Sequence, residues 1–392
     1  MNRIVYLDNA ATSHPKPESV YRAVDHFLRE IGASPGRSGH RLGLSAGRVV
    51  LEARERLARL FNVGDSSRII LTINCTEALN LAIKGLLRPG DHVVTSSVEH
   101  NSVMRPLRRL QADGVIALSV VPCSGEGWLD PADVKEHLKP TTRLVVLTHA
   151  SNVVGTIQPV EEVGNLTRAR GIRFLVDAAQ SAGALPIDLG VLGVDLLAFS
   201  GHKGLLGPQG TGGLVVGEGV DLVPLKEGGT GSRSQQQTQP THLPDRYESG
   251  TLNGPGIAGL AAGVAYVEEC GVEAINERLK ELTGLVLDEL ARTPGVTVYG
   301  PRDAQKQTAV VSFTLAGVDA GELAATLDRR FGIMTRSGLH CSPAAHRTIG
   351  TFRRTRGTVR VSLGPFNTAE DVQYLGRCLR EIQAEQAGTD VN

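Results

Sequence analysis

The residue best placed for chemistry in this 392-residue sequence is a lysine that follows a predicted buried strand. Lys203 ends the segment Ser-Gly-His-Lys at 200–203, directly after the mostly apolar run at 194–199. Burial lowers the pKa of an amine and leaves part of it unprotonated, so that it can form a Schiff base with a carbonyl. The alternative is a solvated lysine in a turn, which is the commoner role of an isolated lysine. The motifs upstream favour the chemical role.

A carboxylate occupies a similar place after another predicted strand. Asp177 ends the apolar run at 174–177, and the interval to Lys203 has room for one helix and one strand. Ligands of open parallel sheets bind beyond the carboxyl ends of the strands, and an acid buried there needs a cationic partner. A carboxylate that keeps a pyridine nitrogen protonated and a lysine that binds an aldehyde are what pyridoxal phosphate requires. The pair therefore predicts a pyridoxal-phosphate site.

Donors for the phosphate group follow further strands. Thr76 lies at a strand-to-helix junction, in the segment Asn-Cys-Thr-Glu-Ala at 74–78, where backbone N–H groups and the hydroxyl can face an anion. Ser200 and His202 offer more donors beside the lysine. His100 also follows a strand and is placed to stack on a flat ring, although a lone histidine there is more often a turn residue. Together these signals converge on one edge of a sheet.

The elements that must position these residues follow from alternating apolar runs and helical patterns. Strands are predicted at 68–72, 92–96, 115–121, 143–148, 174–177, 194–199 and 212–216, and helices at 76–87, 102–112 and 160–169. Such alternation predicts an α/β fold with a mostly parallel sheet covered on both faces. A long helical pattern from about 256 and strands at 296–299, 309–313 and 359–363 predict a second, smaller α+β domain. Residues 228–245, which include three consecutive glutamines, are predicted to form a loop that serves as a lid or a subunit contact.

Composition excludes several classes of function. Lys and Arg total 41 and Asp and Glu total 41, and this balance argues against a nucleic-acid binder. The N-terminus has no apolar core of a signal peptide, and no apolar run is long enough to span a bilayer, so we expect a cytoplasmic protein without a membrane partner. The five cysteines are scattered without Cys-x-x-Cys spacing, which predicts neither a disulfide framework nor a metal site.

Six segments in order carry a resemblance to a known family. They are Tyr-Leu-Asp-Asn-Ala-Ala-Thr at 6–12, Gly-Arg-Ser-Gly-His at 36–40, Thr-Glu-Ala at 76–78, Glu-His at 99–100, Asp-Ala-Ala-Gln-Ser at 177–181 and Ser-Gly-His-Lys at 200–203. The chain resembles the class V aminotransferase family of fold-type I pyridoxal-phosphate enzymes, and within it the cysteine desulfurases and selenocysteine lyases. The resemblance implies a large domain at 15–262 with a mostly parallel seven-stranded sheet, and a small α+β domain at 263–392 joined by residues 1–14.

The resemblance also implies roles for individual residues. Lys203 carries the Schiff base, Asp177 pairs with the pyridine nitrogen, and His100 stacks on the ring and shuttles protons. Thr251 contacts the phosphate bound by a neighbouring protomer, which implies a homodimer with shared sites. The full set of implied cofactor contacts is Cys75, Thr76, Glu77, His100, Asn152, Asp177, Gln180, Ser200, His202, Lys203 and Thr251. The implied substrate-binding group is Asn9, His40, Asn152, Arg336 and Arg360.

The reaction is indicated by a cysteine in the predicted small domain. The segment Arg-Ser-Gly-Leu-His-Cys-Ser at 336–342 resembles the Arg-x-Gly-His-His-Cys segment of group II desulfurases, whose cysteine attacks the substrate sulfur. A nearby histidine and arginines favour the thiolate of Cys341, which is the nucleophilic form. Leu339 replaces a histidine of that pattern and Ser342 replaces an alanine. The remaining cysteines are interpreted as buried and structural: Cys75, Cys123, Cys270 and Cys378.

The sequence thus predicts a cytoplasmic, homodimeric desulfurase that depends on pyridoxal phosphate. It would convert L-cysteine to L-alanine, leave a persulfide on Cys341 and pass the sulfur to a protein acceptor. An extra basic cluster after Cys341 is either a solvated face or a site for an anionic substrate or an acidic acceptor: Arg347, Arg353, Arg354 and Arg356. The alternatives are a selenocysteine lyase, a transaminase, epimerase or C–C lyase with a structural Cys341, and a non-catalytic cofactor-binding module.

Overall fold

The computed structural model describes residues 3–35, 39–233 and 235–389. Residues 36–38 of one family-like segment lie outside the described residues. The strands are β1 (Val5–Tyr6), β2 (Ile69–Thr72), β3 (Asp91–Ser96), β4 (Ile116–Val121), β5 (Thr142–Thr148), β6 (Arg173–Asp177), β7 (Leu196–Ser200), β8 (Gly212–Val216), β9 (Val296–Tyr299), β10 (Val310–Leu315), β11 (Ile333–Met334), β12 (Arg336–Gly338) and β13 (Thr358–Ser362). The helices are α1 (Glu18–His26), α2 (Arg41–Leu60), α3 (Cys75–Leu86), α4 (Asn101–Ala112), α5 (Pro131–His137), α6 (Val160–Arg168), α7 (Leu189–Leu192), α8 (Gly254–Cys270), α9 (Val272–Ala291), α10 (Ala320–Phe331), α11 (Pro343–Thr348), α12 (Thr351–Arg354) and α13 (Ala369–Thr389).

A seven-stranded sheet in the order β2-β8-β7-β6-β5-β3-β4 organises the first two thirds of the chain. The five strands from β7 to β4 pair in parallel, while β8 is antiparallel to both of its neighbours. Because β8 reverses direction between β7 and β2, β2 runs the same way as β7 and ends at the same edge of the sheet. The predicted mostly parallel seven-stranded sheet is confirmed.

The two faces of this sheet are buried against different sets of helices. Successive residues of a strand point to opposite faces, and β5 shows this directly. Val145 and Leu147 pack in one apolar core, whereas Leu144 and Val146 pack in the other. Burial on both faces explains why the strands are continuous apolar runs in the sequence.

The C-terminal part forms a second core around a four-stranded antiparallel sheet in the order β12-β13-β10-β9. The N-terminal strand β1 pairs in parallel with β11, with Val5 opposite Ile333. Helix α8 packs its first turns in the core of the large sheet and Val267 in the second core. The domain boundaries at residues 15 and 263 remain a prediction, since the second of them falls within α8.

The sequence analysis located the predicted strands of the two larger sheets correctly and missed one of their strands. The predicted strands of both sheets lie within two residues of the observed ones, but β12 was not identified because it has only three residues and no apolar pattern. The described part of the loop at 228–245 contains no helix or strand. Across the described ranges no helix is both long and apolar enough to span a bilayer.

Candidate active site

Residues from separate strand ends meet at the carboxyl edge of the large sheet. Asp177 is the last residue of β6, Lys203 follows β7, and α3 and α4 begin after β2 and β3. These ends face one cavity of about 300 Å³. Nine of the residues predicted from the sequence line it: Cys75, Thr76, His100, Asn152, Asp177, Gln180, Ser200, His202 and Lys203.

Lys203 lies in the tight turn that connects β7 to the rest of the chain. A Cβ atom on Gly204 would overlap with the backbone oxygen of Ala182, so the turn needs glycine next to the lysine. Burial lowers the pKa of the Lys203 amine, and the carboxylate of Asp177 opposes this effect. The lowered pKa increases the fraction of neutral amine, which is the nucleophilic form.

Asp177 is held as a buried acceptor. It is 3% exposed, and its Oδ1 accepts hydrogen bonds from the Ala179 amide at 2.9 Å and from the Cys75 thiol at 3.4 Å. Burial and the charge of Asp177 raise the pKa of Cys75 well above its usual range. Cys75 is therefore a neutral thiol that donates to the carboxylate and is unsuited to be a nucleophile.

The N-terminus of α3 is prepared to bind an anion. Asn74 caps it by accepting from the Glu77 amide at 2.9 Å, and Glu77 Oε2 accepts from the amide of Ile73, the residue before the cap, at 2.8 Å, in a variant of the capping box. The first two amides of the helix, at Cys75 and Thr76, have no partner among the described residues. With the Thr76 hydroxyl they offer donors at the positive end of the helix dipole.

Glu77 itself does not line the cavity. Its Oε1 forms an ion pair with Lys226 Nζ at 2.6 Å on the other side of the helix start. This residue was predicted as a cofactor contact, and the structure places its side chain in a helix cap instead.

His100 caps α4 and is held in one tautomer. Its Nδ1 accepts from the Ser102 amide at 3.1 Å, so the proton of the neutral ring is on Nε2. The Ser102 hydroxyl connects His100 Nδ1, at 2.9 Å, to Thr76 Oγ1, at 2.8 Å. Burial lowers the pKa of His100 to about 4, with Lys203 and Arg336 adding to this effect. His100 is therefore neutral near pH 7, with only Nε2 free to exchange a proton.

His202 lines the cavity and has an unpartnered polar atom. Its Nδ1 is buried and forms no hydrogen bond with any described residue, and burial lowers the pKa of the ring to about 4. Its backbone oxygen accepts from Ser13 N and Lys16 Nζ, both at 3.0 Å, which anchors the turn before Lys203. An unsatisfied ring nitrogen, a helix N-terminus, a buried carboxylate and a lysine whose pKa is lowered by burial together fit the phosphate, ring nitrogen and aldehyde of pyridoxal phosphate.

Cys341 is exposed on a loop next to the cavity. Its backbone oxygen accepts from the Asn101 amide at the start of α4, at 2.9 Å. The amide of Asn152, which lines the cavity, donates to the oxygen of His340 at 2.6 Å. Arg336 Nη2 lies 3.6 Å from Cys341 Sγ. The structure thus brings the predicted nucleophile from the second sheet to the edge of the first.

Arg360 is buried between the two parts of the chain. It is 1% exposed, donates through Nη2 to Asp8 Oδ1 at 2.7 Å and through Nη1 to the backbone oxygen of Asn152 at 2.9 Å. Its Nε has no partner among the residues that the structure describes. Arg336 lies directly opposite Arg360 in the pairing of β12 with β13. The two cations leave the region next to Cys341 with excess positive charge.

Seven predicted site residues do not line this cavity: Glu77, Cys341, Arg336 and Arg360, described above, and His40, Thr251 and Asn9. His40 caps α2 by accepting from the Gly43 amide at 3.2 Å, and Thr251 is an exposed residue of a separate pocket. The amide of Asn9 is used within the protein, where it donates to Ser362 O and Asn367 Oδ1, both at 3.1 Å.

The sequence analysis missed two residues that the site uses. Ser102 bridges Thr76 and His100, and Asp8 pairs with Arg360. Asp8 was part of a family-like segment but had no role assigned to it. Ser102 follows His100 by two residues, which is the spacing of a histidine side chain that caps a helix.

Comparisons with known proteins identify the family of the chain. The model of the aminotransferase class-V family matches residues 5–375. A probable cysteine desulfurase from Methanothermobacter thermautotrophicus is 38% identical, over 96% of this chain and 94% of the relative. An apo cysteine desulfurase from Thermococcus onnurineus NA1 superposes with a TM-score of 0.89 at 36% identity, covering 97% of this chain and 94% of that one. A cysteine desulfurase from Escherichia coli, solved as an S-sulfonic acid, superposes with a TM-score of 0.85 at 28% identity, covering 96% and 94%. The chain therefore belongs to the class V aminotransferase family.

Proposed function

We propose that this protein is a pyridoxal-phosphate-dependent cysteine desulfurase that forms L-alanine and a persulfide on Cys341. The observation that carries the proposal is the position of the exposed Cys341 next to the cavity that Lys203 lines. The backbone oxygen of Cys341 accepts a hydrogen bond from the Asn101 amide, which holds the loop at this place. The names of the relatives support the same activity. A transaminase needs no thiol at this place.

The family consists in general of pyridoxal-phosphate enzymes. Different residues of the cavity would bind different groups of the cofactor. Lys203 would bind the aldehyde, Asp177 the ring nitrogen, and the N-terminus of α3 with Ser200 and His202 the phosphate. When bound, the cofactor supplies an electron sink that stabilises negative charge at the substrate α-carbon.

The residues of the chain would move protons and sulfur as follows. Lys203 Nζ accepts the α-proton of L-cysteine. His100, which lines the same cavity, can donate a proton from Nε2. Cys341 Sγ then attacks the substrate sulfur, and a new S–S bond forms as the bond from that sulfur to the substrate Cβ breaks. The electron pair of the broken bond remains on Cβ, which takes up one proton, equivalent to the proton that the Cys341 thiol gives up on attack. The proton held by Lys203 Nζ returns to the α-carbon, and L-alanine results. Arg360, with its unpartnered Nε, would orient the substrate carboxylate.

The test compares two exposed cysteines. Cys341→Ala should lose the release of alanine and sulfide from L-cysteine in the presence of dithiothreitol. Cys270, which is exposed and not buried as expected from the sequence, gives the control, and Cys270→Ala should retain the activity. Full desulfurase activity in Cys341→Ala would show that the nucleophile is wrongly assigned. Turnover of L-selenocysteine by both variants separates a selenocysteine lyase from a desulfurase.

We further propose that the protein acceptor of the sulfur is acidic. No Asp or Glu occurs between Asp328 and Glu370, and the segment contains four exposed arginines after Cys341. These form the basic surface: Arg347, Arg353, Arg354 and Arg356. Arg347 stacks on Phe352 at 4.2 Å, and none of the four forms an ion pair with a described residue. An acidic partner would supply the missing counter-charges.

Persulfide transfer to two peptides tests this surface. A cysteine-containing peptide rich in glutamate should discharge the persulfide faster than the same peptide with glutamine in place of glutamate. The difference should disappear in a variant carrying Arg353→Glu and Arg354→Glu, while discharge to dithiothreitol stays unchanged. Equal rates for the two peptides with the unaltered protein would contradict an acidic acceptor.

A further inference from the structure

The loop that carries Cys341 has an unfavourable backbone conformation. His340 has a φ of 49° and Cys341 a φ of 60°, so two consecutive residues other than glycine lie in the left-handed region. This region is disfavoured for residues with a Cβ atom, and it persists where surrounding contacts determine it. The bonds that the loop makes with the rest of the molecule are therefore needed to keep the thiol in place.

Asn152 supplies two of those bonds, one on each side of the thiol. Its Nδ2 donates to the backbone oxygen of His340 at 2.6 Å, and its Oδ1 accepts from the Ser342 hydroxyl at 2.7 Å. Both groups of the amide are thus committed to the residues that flank Cys341. Asn152 is 7% exposed and Ser342 is fully buried, so water does not replace either partner.

The same asparagine is connected to the proposed substrate-binding arginine. Its backbone oxygen accepts from Arg360 Nη1 at 2.9 Å. A single residue after β5 therefore contacts both the loop of the nucleophile and the group that would hold the substrate carboxylate. This arrangement connects the loop of the thiol to Arg360 as well as to its own sheet.

We propose that Ser342 is a positioning residue, which together with Asn152 clamps Cys341 for attack on the substrate sulfur. The inference rests on the proposed desulfurase function. It assigns a role to the serine that stands where the group II pattern has alanine: alanine at 342 would remove the donor and leave the buried Asn152 Oδ1 without it. Ser342 acts through Cys341 and touches no reacting atom.

Two reactions of the same enzyme separate positioning from general damage. Exchange of the α-proton of L-alanine with deuterium, followed by NMR, needs Lys203 but no thiol. Release of alanine from L-cysteine needs both. Because a displacement of about 1 Å from the geometry of attack can cost about a hundredfold in rate, loss of one of the two bonds to Asn152 in Ser342→Ala should lower kcat for L-cysteine about tenfold. The exchange rate and the KM should stay within about twofold of wild type.

Two further variants serve as controls. Ser342→Thr keeps a hydroxyl and should recover more of the cleavage rate than Ser342→Ala does. Thr167→Val removes another fully buried hydroxyl, which donates to Gly164 O at 2.9 Å in α6, away from the site, and should leave both reactions unchanged.

The possible results are distinct. An unchanged cleavage rate in Ser342→Ala, an equal loss of exchange and cleavage, or a Ser342→Thr variant as slow as Ser342→Ala would overturn the clamp. If wild type itself released no alanine from L-cysteine, the proposed function would fail instead. A selective loss of cleavage, recovered by threonine, supports the clamp.

Discussion

Replacement of Asp8 should destabilise the protein through a charge left buried on another strand. Asp8 Oδ1 lies 2.7 Å from Arg360 Nη2, and the Arg360 side chain is 1% exposed. Removal of one partner of a fully buried ion pair costs about 3–5 kcal/mol, because the remaining charge is no longer compensated. Since the Asp8 side chain is 20% exposed and water can partly replace it, we expect about 2–3 kcal/mol for Asp8→Ala.

An exposed ion pair with similar geometry provides the matched control. Asp25 Oδ1 lies 2.6 Å from Arg29 Nε, but these side chains are 60% and 72% exposed. Exposed pairs of this kind contribute about 0.3–0.5 kcal/mol, so Asp25→Ala should have a small effect. Urea unfolding of the two variants with cofactor bound, followed by circular dichroism, compares them directly.

The same variant has a functional consequence that can be measured without turnover. An Arg360 without Asp8 should bind a carboxylate more tightly, so L-alanine should raise the melting temperature of Asp8→Ala more than that of wild type. The reasoning would be refuted if Asp8→Ala were no less stable than Asp25→Ala. It would also be refuted if L-alanine stabilised the variant less than wild type.

Three other predictions concern pH, the cofactor and the assembly. Burial lowers the pKa of five histidines from 6.5 to about 4: His92, His100, His149, His202 and His346. Because the unfolded chain binds more protons between these pH values, the free energy of unfolding should be highest above pH 6.5 and should fall as the pH drops towards 4. A melting temperature that does not change over this pH range would contradict the burial of neutral imidazoles. Thr76→Val should weaken cofactor binding about tenfold or more, since it removes a hydroxyl donor to the phosphate, and a titration of apoprotein with pyridoxal phosphate that gives a wild-type dissociation constant would disprove this contact. If Thr251 completes the site of a neighbouring protomer, mixing and reassembling Lys203→Ala with Thr251→Ala chains should restore activity above the mean of the two, whereas activity equal to that mean would mean that each chain uses its own threonine.

Much of the site could be predicted because the chemistry lies at strand ends. Each strand of the large sheet is a local apolar run, and parallel strands present their carboxyl ends at one edge. Local pattern and topology are therefore enough to predict that Thr76, His100, Asp177 and Lys203 meet, and the structure places all four around one cavity. The family and the fold class followed from the same segments.

Residues whose side chains have a nearby backbone partner were harder to place. Glu77 and His40 occupy positions that suit a cofactor or substrate contact, yet both satisfy amides at the start of a helix. For Glu77 the signal was present, since Asn-x-x-Glu at 74–77 has the spacing of a capping box. The Glu77 carboxylate accepts from the nearby amide of Ile73 and so does not face the cavity.

By itself, the sequence determined the α/β fold, the strand ends that form the cofactor cavity and the lysine that stands among them. Only the tertiary structure decided what surrounds Cys341 and Arg360. Asn152 is 190 residues from Ser342, and Asp8 is 352 residues from Arg360, yet each pair forms a direct hydrogen bond. Local sequence patterns do not predict such contacts, because the partners meet only when the second sheet packs against the edge of the first. That packing placed the loop of an exposed thiol at the edge of the cavity that Lys203 lines.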